Sequence, residues 1–208
     1  MKPKLVAAGV ALVAAAGLCL AGGPTLDEQA ARLPAALQQK LASRQVYIDP
    51  GELLDTIYNN NVGVRIFDLR NEVDYNLFHI MDAQRISLEQ LHDRDFIKAL
   101  PEDTVFVLVS NGEARATRAW KLLAVQKVPN IFILEGGINH WLEVYGPRRL
   151  VETAGPCPGG ECRRYFFSAA LGERHPEADP GPHQVGARKY QKKIKGLGGK
   201  VRKSGGCG

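Results

Sequence analysis

Three short apolar runs, each followed by a helix-like stretch, constrain this chain more than any other feature. They are Val64-Arg65-Ile66-Phe67, Val105-Phe106-Val107-Leu108-Val109 and Ile131-Phe132-Ile133-Leu134. The helical patterns run from Glu72 to Leu77, Ala114 to Gln126, and Ile138 to about Val144. Runs this short and this apolar suit strands buried on both faces, and alternation with helices predicts an α/β fold with a parallel sheet flanked by helices. In such sheets ligands bind beyond the carboxyl ends of the strands. Here those ends carry Asp68-Leu69-Arg70, the loop after Val109, and Glu135-Gly136-Gly137.

The compact part is expected over residues 46–146. It opens on a strand at Val46-Tyr47-Ile48, and Asp49 with Pro50 forms an N-cap pair that starts a helix reaching about Tyr58. Arg85-Ile86 reads as a brief strand; Leu88 to Leu91 and Phe96 to Leu100 read as helical turns. Ahead of this part, residues 22–45 read as a helical spacer. Thr25-Leu26-Asp27-Glu28 is a capping-box pattern, and Pro34 interrupts the helix it opens. Residues 1–21 combine Lys2 and Lys4 with an uninterrupted apolar run and small residues at its end, the pattern of a signal peptide or membrane anchor. The body is therefore expected to be exported, periplasmic or extracytoplasmic, in an oxidising compartment.

After residue 146 the character changes. Residues 147–180 form an extension rich in Cys, Pro and Gly, with a short Tyr165-Phe166-Phe167 cluster. Residues 181–208 carry eight Lys or Arg and no acid, so the formal net charge of +5 comes from an irregular basic tail on an otherwise acidic chain. That tail is expected to be disordered. Residues 188–203 could make weak contact with an anionic membrane surface; nucleic acid is not an expected partner.

The loop after Val109 is the candidate site. Ser110, Asn111, Gly112, Glu113, Ala114 and Arg115 lie between a buried strand and a helix N-terminus, where backbone N–H groups lack helical partners and the helix dipole is positive. Two readings stay open: a cradle for a small anion, or a closed structural loop. Glu113 adds negative charge at its rim, and Arg70 and His79 line the pocket by position.

Four separated stretches resemble one family. Ile66-Phe67-Asp68-Leu69-Arg70 with Glu72 and Tyr75, then His79-Ile80-Met81-Asp82-Ala83, then the loop at 109–115, and finally Leu134-Glu135-Gly136-Gly137-Ile138-Asn139-His140-Trp141 follow the order and spacing of rhodanese-like domains. The resemblance implies the rhodanese-like α/β fold and a site at the 110–115 loop. In active members a loop cysteine takes sulfur from thiosulfate or another sulfane donor and passes it on as a persulfide, which requires a stabilised thiolate. Aligning on Gly112 puts Val109 at that position, and sliding by one residue offers Ser110; neither carries sulfur. Catalytic residues are therefore expected to be none, with no cofactor, and Val109→Cys would be needed to restore a persulfide. The expected role is binding or scaffolding, with an unknown protein or a small anion as partner.

The competing expectation is enzymatic. Cys157 and Cys162 flank a short glycine-containing stretch that could close as a structural disulfide or serve as a sulfur-carrying or thiol-exchange pair. Were the chain active, its chemistry would be thiosulfate sulfurtransferase-like. A metal site is not expected, because His175 and His183 lack zinc-finger spacing. Cys207 reads as an exposed thiol.

Overall fold

A computed structural model describes residues 23–59, 61–146, 151–152, 157, 160–166 and 180–194. The leader read at 1–21, His175, Cys207 and the basic residues from Lys195 onward lie outside the described residues.

The pattern of short apolar runs closes as expected into one parallel sheet. Its strands are β1 (Tyr47–Ile48), β2 (Gly63–Asp68), β3 (Gln84–Arg85), β4 (Thr104–Val109) and β5 (Ile131–Leu134), in the order β1-β5-β4-β2-β3. Central β4 pairs along its whole length with β2, from Gly63↔Thr104 to Asp68↔Val109, and with β5 from Phe106↔Ile131 to Leu108↔Ile133. All of β4 is buried, which is why its sequence shows no polar alternation.

The two-residue pleat still sorts its side chains. Val105, Val107 and Val109 join Leu53, Leu54, Ile138, Trp141 and Leu142 on one face. Phe106 and Leu108 join Ala116, Ala119, Trp120, Leu122 and Leu123 on the other. The first face is covered by α3 (Pro50–Ile57) and α7 (Gly137–Tyr145); the second by α6 (Ala114–Val125) and by the N-terminal α1 (Leu26–Ala31). α2 (Ala35–Ala42), α4 (Glu72–Leu77) and α5 (Arg94–Lys98) complete the α-helices among the described residues, beside short 3-10 turns at Glu89–His92 and Pro182–Gln184.

Local chemistry sets the helix starts. Thr25 and Glu28 make the reciprocal bonds of a capping box, and Asp49 Oδ1 accepts the Gly51 N–H at 2.7 Å. Asp82 sits at φ 60°, the left-handed conformation that short acidic residues tolerate.

Two features depart from expectation. Val151–Glu152 and Tyr165–Phe166 pair antiparallel as a small second sheet, β6 and β7. The reading of 181–208 as a disordered tail is corrected for its first part, because residues 180–194 pack against α3. Ile194 is 3% exposed in the same cluster as Leu53 and Leu54. Arg188 pairs with Asp49 at 2.7 Å, Tyr190 donates to Asp55 at 2.5 Å, and the Lys193 and Ile194 N–H groups donate to Glu52 Oε1. The segment carries only two large aliphatic side chains, Val185 and Ile194, nine residues apart, so no hydrophobic period announces it. It is held by three carboxylates on one face of α3.

Candidate functional site

The turn from β4 into α6 is built on the sheet's central strand and held from below by the next strand's exit. Ile138 N–H donates to Ser110 O at 2.9 Å and Asn139 N–H to Asn111 O at 3.1 Å. That approach explains Gly136-Gly137. Both residues have positive φ, 67° and 63°, and a Cβ at 137 would overlap the carbonyl oxygens of Ser110, Asn111 and Gly112.

Val109 is the last residue of β4, and the pleat turns its side chain into the core, where it is 1% exposed. The side chain at the loop's centre belongs instead to Ser110. Its Oγ accepts the Ala116 N–H at 3.3 Å and lies 3.0 Å from Gly112 O and 3.2 Å from Glu161 Oε1. The single hydroxyl proton can serve one of those two acceptors at a time. Of the two positions weighed for a nucleophile, Val109 thus faces the core and Ser110 faces the loop.

The loop's outer side is covered by residues from the extension. Glu161 Oε1 accepts the Arg115 N–H at 3.0 Å, and Glu161 O accepts from Asn111 Nδ2 at 3.1 Å. The Gly160 carbonyl lies where a Cβ on Gly112 would sit. Asn139 bridges loop and extension, donating to Cys162 O and accepting the Arg164 N–H, each at 2.9 Å. Cys157 and Cys162 are disulfide-bonded, with Cα atoms 5.4 Å apart. Asn111 also donates to Asp74 at 2.8 Å, yet its buried Oδ1 has no partner among the described residues.

Glu113 is tied down rather than repelling at the rim. Arg44 grips its carboxylate with two bonds, at 2.7 and 3.2 Å, and the Gly136 N–H donates to it at 2.7 Å. Burial pushes this carboxyl up, but the Arg44 and Gly136 bonds outweigh it and hold the group below the ordinary glutamate range. Ala114 is exposed at the start of α6; Arg115 reaches back to Leu69 O at 2.9 Å, linking the loop to the end of β2. Beside the loop a cleft of about 690 Å³ opens, bordered by Ala114, Thr117, Gly136 and Arg164.

Arg70 and His79 have their described partners at the end of β2 and around α4. Arg70 is 4% exposed, clamped to Asp68 through Nε and Nη2, and donates to Phe78 O at 2.5 Å. Three of its five N–H donors are thus spent bracing the strand end. The His79 ring stacks on Tyr75 with centroids 4.1 Å apart, and its Nδ1 lies 2.9 Å from Tyr75 O. What sequence reasoning missed is Glu161 with its neighbours Gly160 and Asn139. The only signal was an acid placed between a glycine pair and the second cysteine.

Among the described residues, no group of three or more His, Cys, Asp or Glu side chains could hold a metal ion, and no helix is long and apolar enough to cross a membrane.

The rhodanese-like domain family model matches residues 49–144. Solved structures similar to this chain include a rhodanese-related protein from Thermoplasma volcanium, 24% identical, covering 49% of this chain and 94% of that one, with a TM-score of 0.41. The rhodanese-like domain of an Anabaena protein is 21% identical, covering 54% and 89%, with a TM-score of 0.43. A Rhodopseudomonas palustris protein of unknown function, named as a possible tyrosine phosphatase, is 18% identical, covering 61% and 95%, with a TM-score of 0.45. No curated protein matches.

Proposed function

We propose, on the premise that this chain carries a rhodanese-like domain over residues 49–144, that the domain binds a partner or small anion and does not transfer sulfur. The observation that carries this reading is the serine hydroxyl at the centre of the 110–115 loop. Persulfide chemistry needs a thiolate that attacks a sulfane donor and then holds the S–S bond. An alcohol oxygen is neither ionised at neutral pH nor able to hold sulfane sulfur in that form. Ser110 is also 0% exposed beneath Glu161, so a donor has no direct line to it. The export reading of residues 1–21 belongs to the same proposal, and a Cys157–Cys162 disulfide suits an oxidising compartment.

A second reading, sulfur transfer or thiol exchange by Cys157 and Cys162, draws support from the disulfide's position against the loop. One experiment separates the two. The purified protein is assayed for cyanide-dependent turnover of thiosulfate, together with Ser110→Ala, Ser110→Cys and Cys157→Ser. The binding reading expects background rates for the wild type and for Ser110→Ala, and no gain of sulfur in Ser110→Cys while Glu161 covers that position. Wild-type turnover that survives Ser110→Ala and vanishes in Cys157→Ser would establish the second reading instead.

A further inference from the structure

At the amino ends of β1 and β5, opposite the strand ends that carry the 110–115 loop, a cleft of about 820 Å³ opens. Each of three elements brings it a cation: Lys40 from α2, Lys127 from the turn after α6, and Lys192 from the returning segment. None of these three has an ion pair among the described residues, and no described carboxylate lines the cleft. Lys193 differs, its ammonium being spent on the Arg44 and Tyr47 carbonyls.

Between the lysines the cleft is apolar. Trp120 lines it with its indole N–H already donated to Ile131 O at 3.1 Å. Leu37, Ala124 and Lys127 also line a second groove of about 540 Å³, which continues to Pro24, Pro34 and Val125. Leu37, Ala124 and Val125 are only partly buried against the core beneath them, so carbon surface is left uncovered. Two polar neighbours of this groove are satisfied internally: Glu28 Oε2 accepts the Thr25 N–H, and Gln29 Nε2 donates to Pro24 O, each at 2.8 Å. Arg32 adds a further cation beside it.

We infer that the joined cleft and groove bind a single-chain amphiphile with an acidic headgroup, the headgroup among Lys40, Lys127 and Lys192 and the hydrocarbon chain along Trp120, Leu37, Ala124 and Val125. The inference goes beyond the proposed function, whose loop lies at the other ends of the strands.

Charge and shape together select this class. Cations gathered in a cleft without counter-ions focus a positive potential, and an acidic headgroup there gains charge-assisted hydrogen bonds. A free inorganic anion would use the lysines and leave the carbon surface wet. Each methylene buried on that surface raises affinity by roughly fourfold. A flat bilayer surface cannot enter a concave cleft. The chain's own ends offer no match either, since residues 1–21 and 195–208 carry basic side chains and no acidic ones.

Dodecanoate is the probe, titrated calorimetrically below its micellar range into the full chain, beside decanoate, octanoate, the neutral dodecyl maltoside and inorganic phosphate. Affinity is expected to fall about tenfold for each two carbons removed. It should also fall about tenfold in Lys40→Glu/Lys127→Asn; asparagine suits position 127, where φ is 62°. A chain-brominated dodecanoate should quench the wild-type emission and leave that of Trp120→Phe unchanged, because the remaining Trp141 packs on the sheet's other face. No binding of dodecanoate overturns the proposal, as do equal affinity at all chain lengths and maltoside or phosphate binding as tight as dodecanoate. Quenching that persists in Trp120→Phe overturns it by placing the chain elsewhere. Hexaglutamate binding more tightly than dodecanoate overturns it in favour of an acidic protein segment. Should Trp120→Phe fail to fold, the lysine variant decides alone, since both its altered side chains are exposed. Thiosulfate turnover plays no part in these titrations, so this inference and the binding reading fail separately.

Discussion

At Ser110 a single atom, an oxygen in place of sulfur, separates the side chain from one that could carry a persulfide. The loop amides, the Gly136-Gly137 support and the buried Asp68–Arg70 clamp fix the strand ends around it. Glu113 shows the same economy: a carboxylate at a helix N-terminus, with Arg44 and the Gly136 N–H as partners. Glu113→Gln keeps an acceptor for Gly136 but removes the charge, so it should destabilise the protein by about 1 kcal/mol at pH 7, partly exposed pairs being screened. The sign with pH follows from the depressed carboxyl. Its stabilisation is present above the ordinary glutamate range and is lost as pH falls through the lower folded-state value. Urea unfolding of both proteins at neutral and acid pH measures this; a gap that does not shrink in acid contradicts the assignment.

The elements divide by how local their causes are. β4, the loop and α6 were legible because a continuous apolar run, a glycine loop and an amphipathic period each signal within a few residues. The turn at 135–137 was legible for the same reason. Which of two adjacent residues occupies the loop's centre was not, because that depends on where the pleat of β4 ends, and a shift of one reverses the facing of Val109 and Ser110. Segment 180–194 was illegible for a different reason. Its recognition runs through backbone N–H groups and distant acids, Asp49, Glu52 and Asp55, spaced along one side of α3. Ile194 is the test of whether this segment belongs to the fold. Ile194→Ala should cost roughly 2–3 kcal/mol, as for other buried aliphatic truncations, read as a shift of the denaturation midpoint. A detached tail would give a change near zero.

Across the whole molecule, the acidic sheet domain and the basic returning segment meet at Glu52. This side chain is 1% exposed; its Oε1 accepts the Lys193 and Ile194 N–H groups at 2.5 and 2.6 Å, and its Oε2 has no partner among the described residues. Burial pushes its carboxyl above the ordinary range, against the opposing pull of those two N–H bonds and of Lys193 and Lys192. Its contribution to stability with pH is therefore opposite in sign to that of Glu113. A raised carboxyl favours the folded state fully below the unfolded-state value, and that advantage is lost as pH rises through the folded-state value. Glu52→Gln keeps an oxygen for the two N–H groups and cannot titrate. The stability of the wild type minus that of the variant should thus be flat in acid, fall as pH rises past the ordinary glutamate range, and level off above the raised value. Urea midpoints taken at closely spaced pH values for both proteins give this difference directly. A difference that rises with pH would mean that the N–H bonds from the returning segment, rather than burial, dominate the charge at this seam.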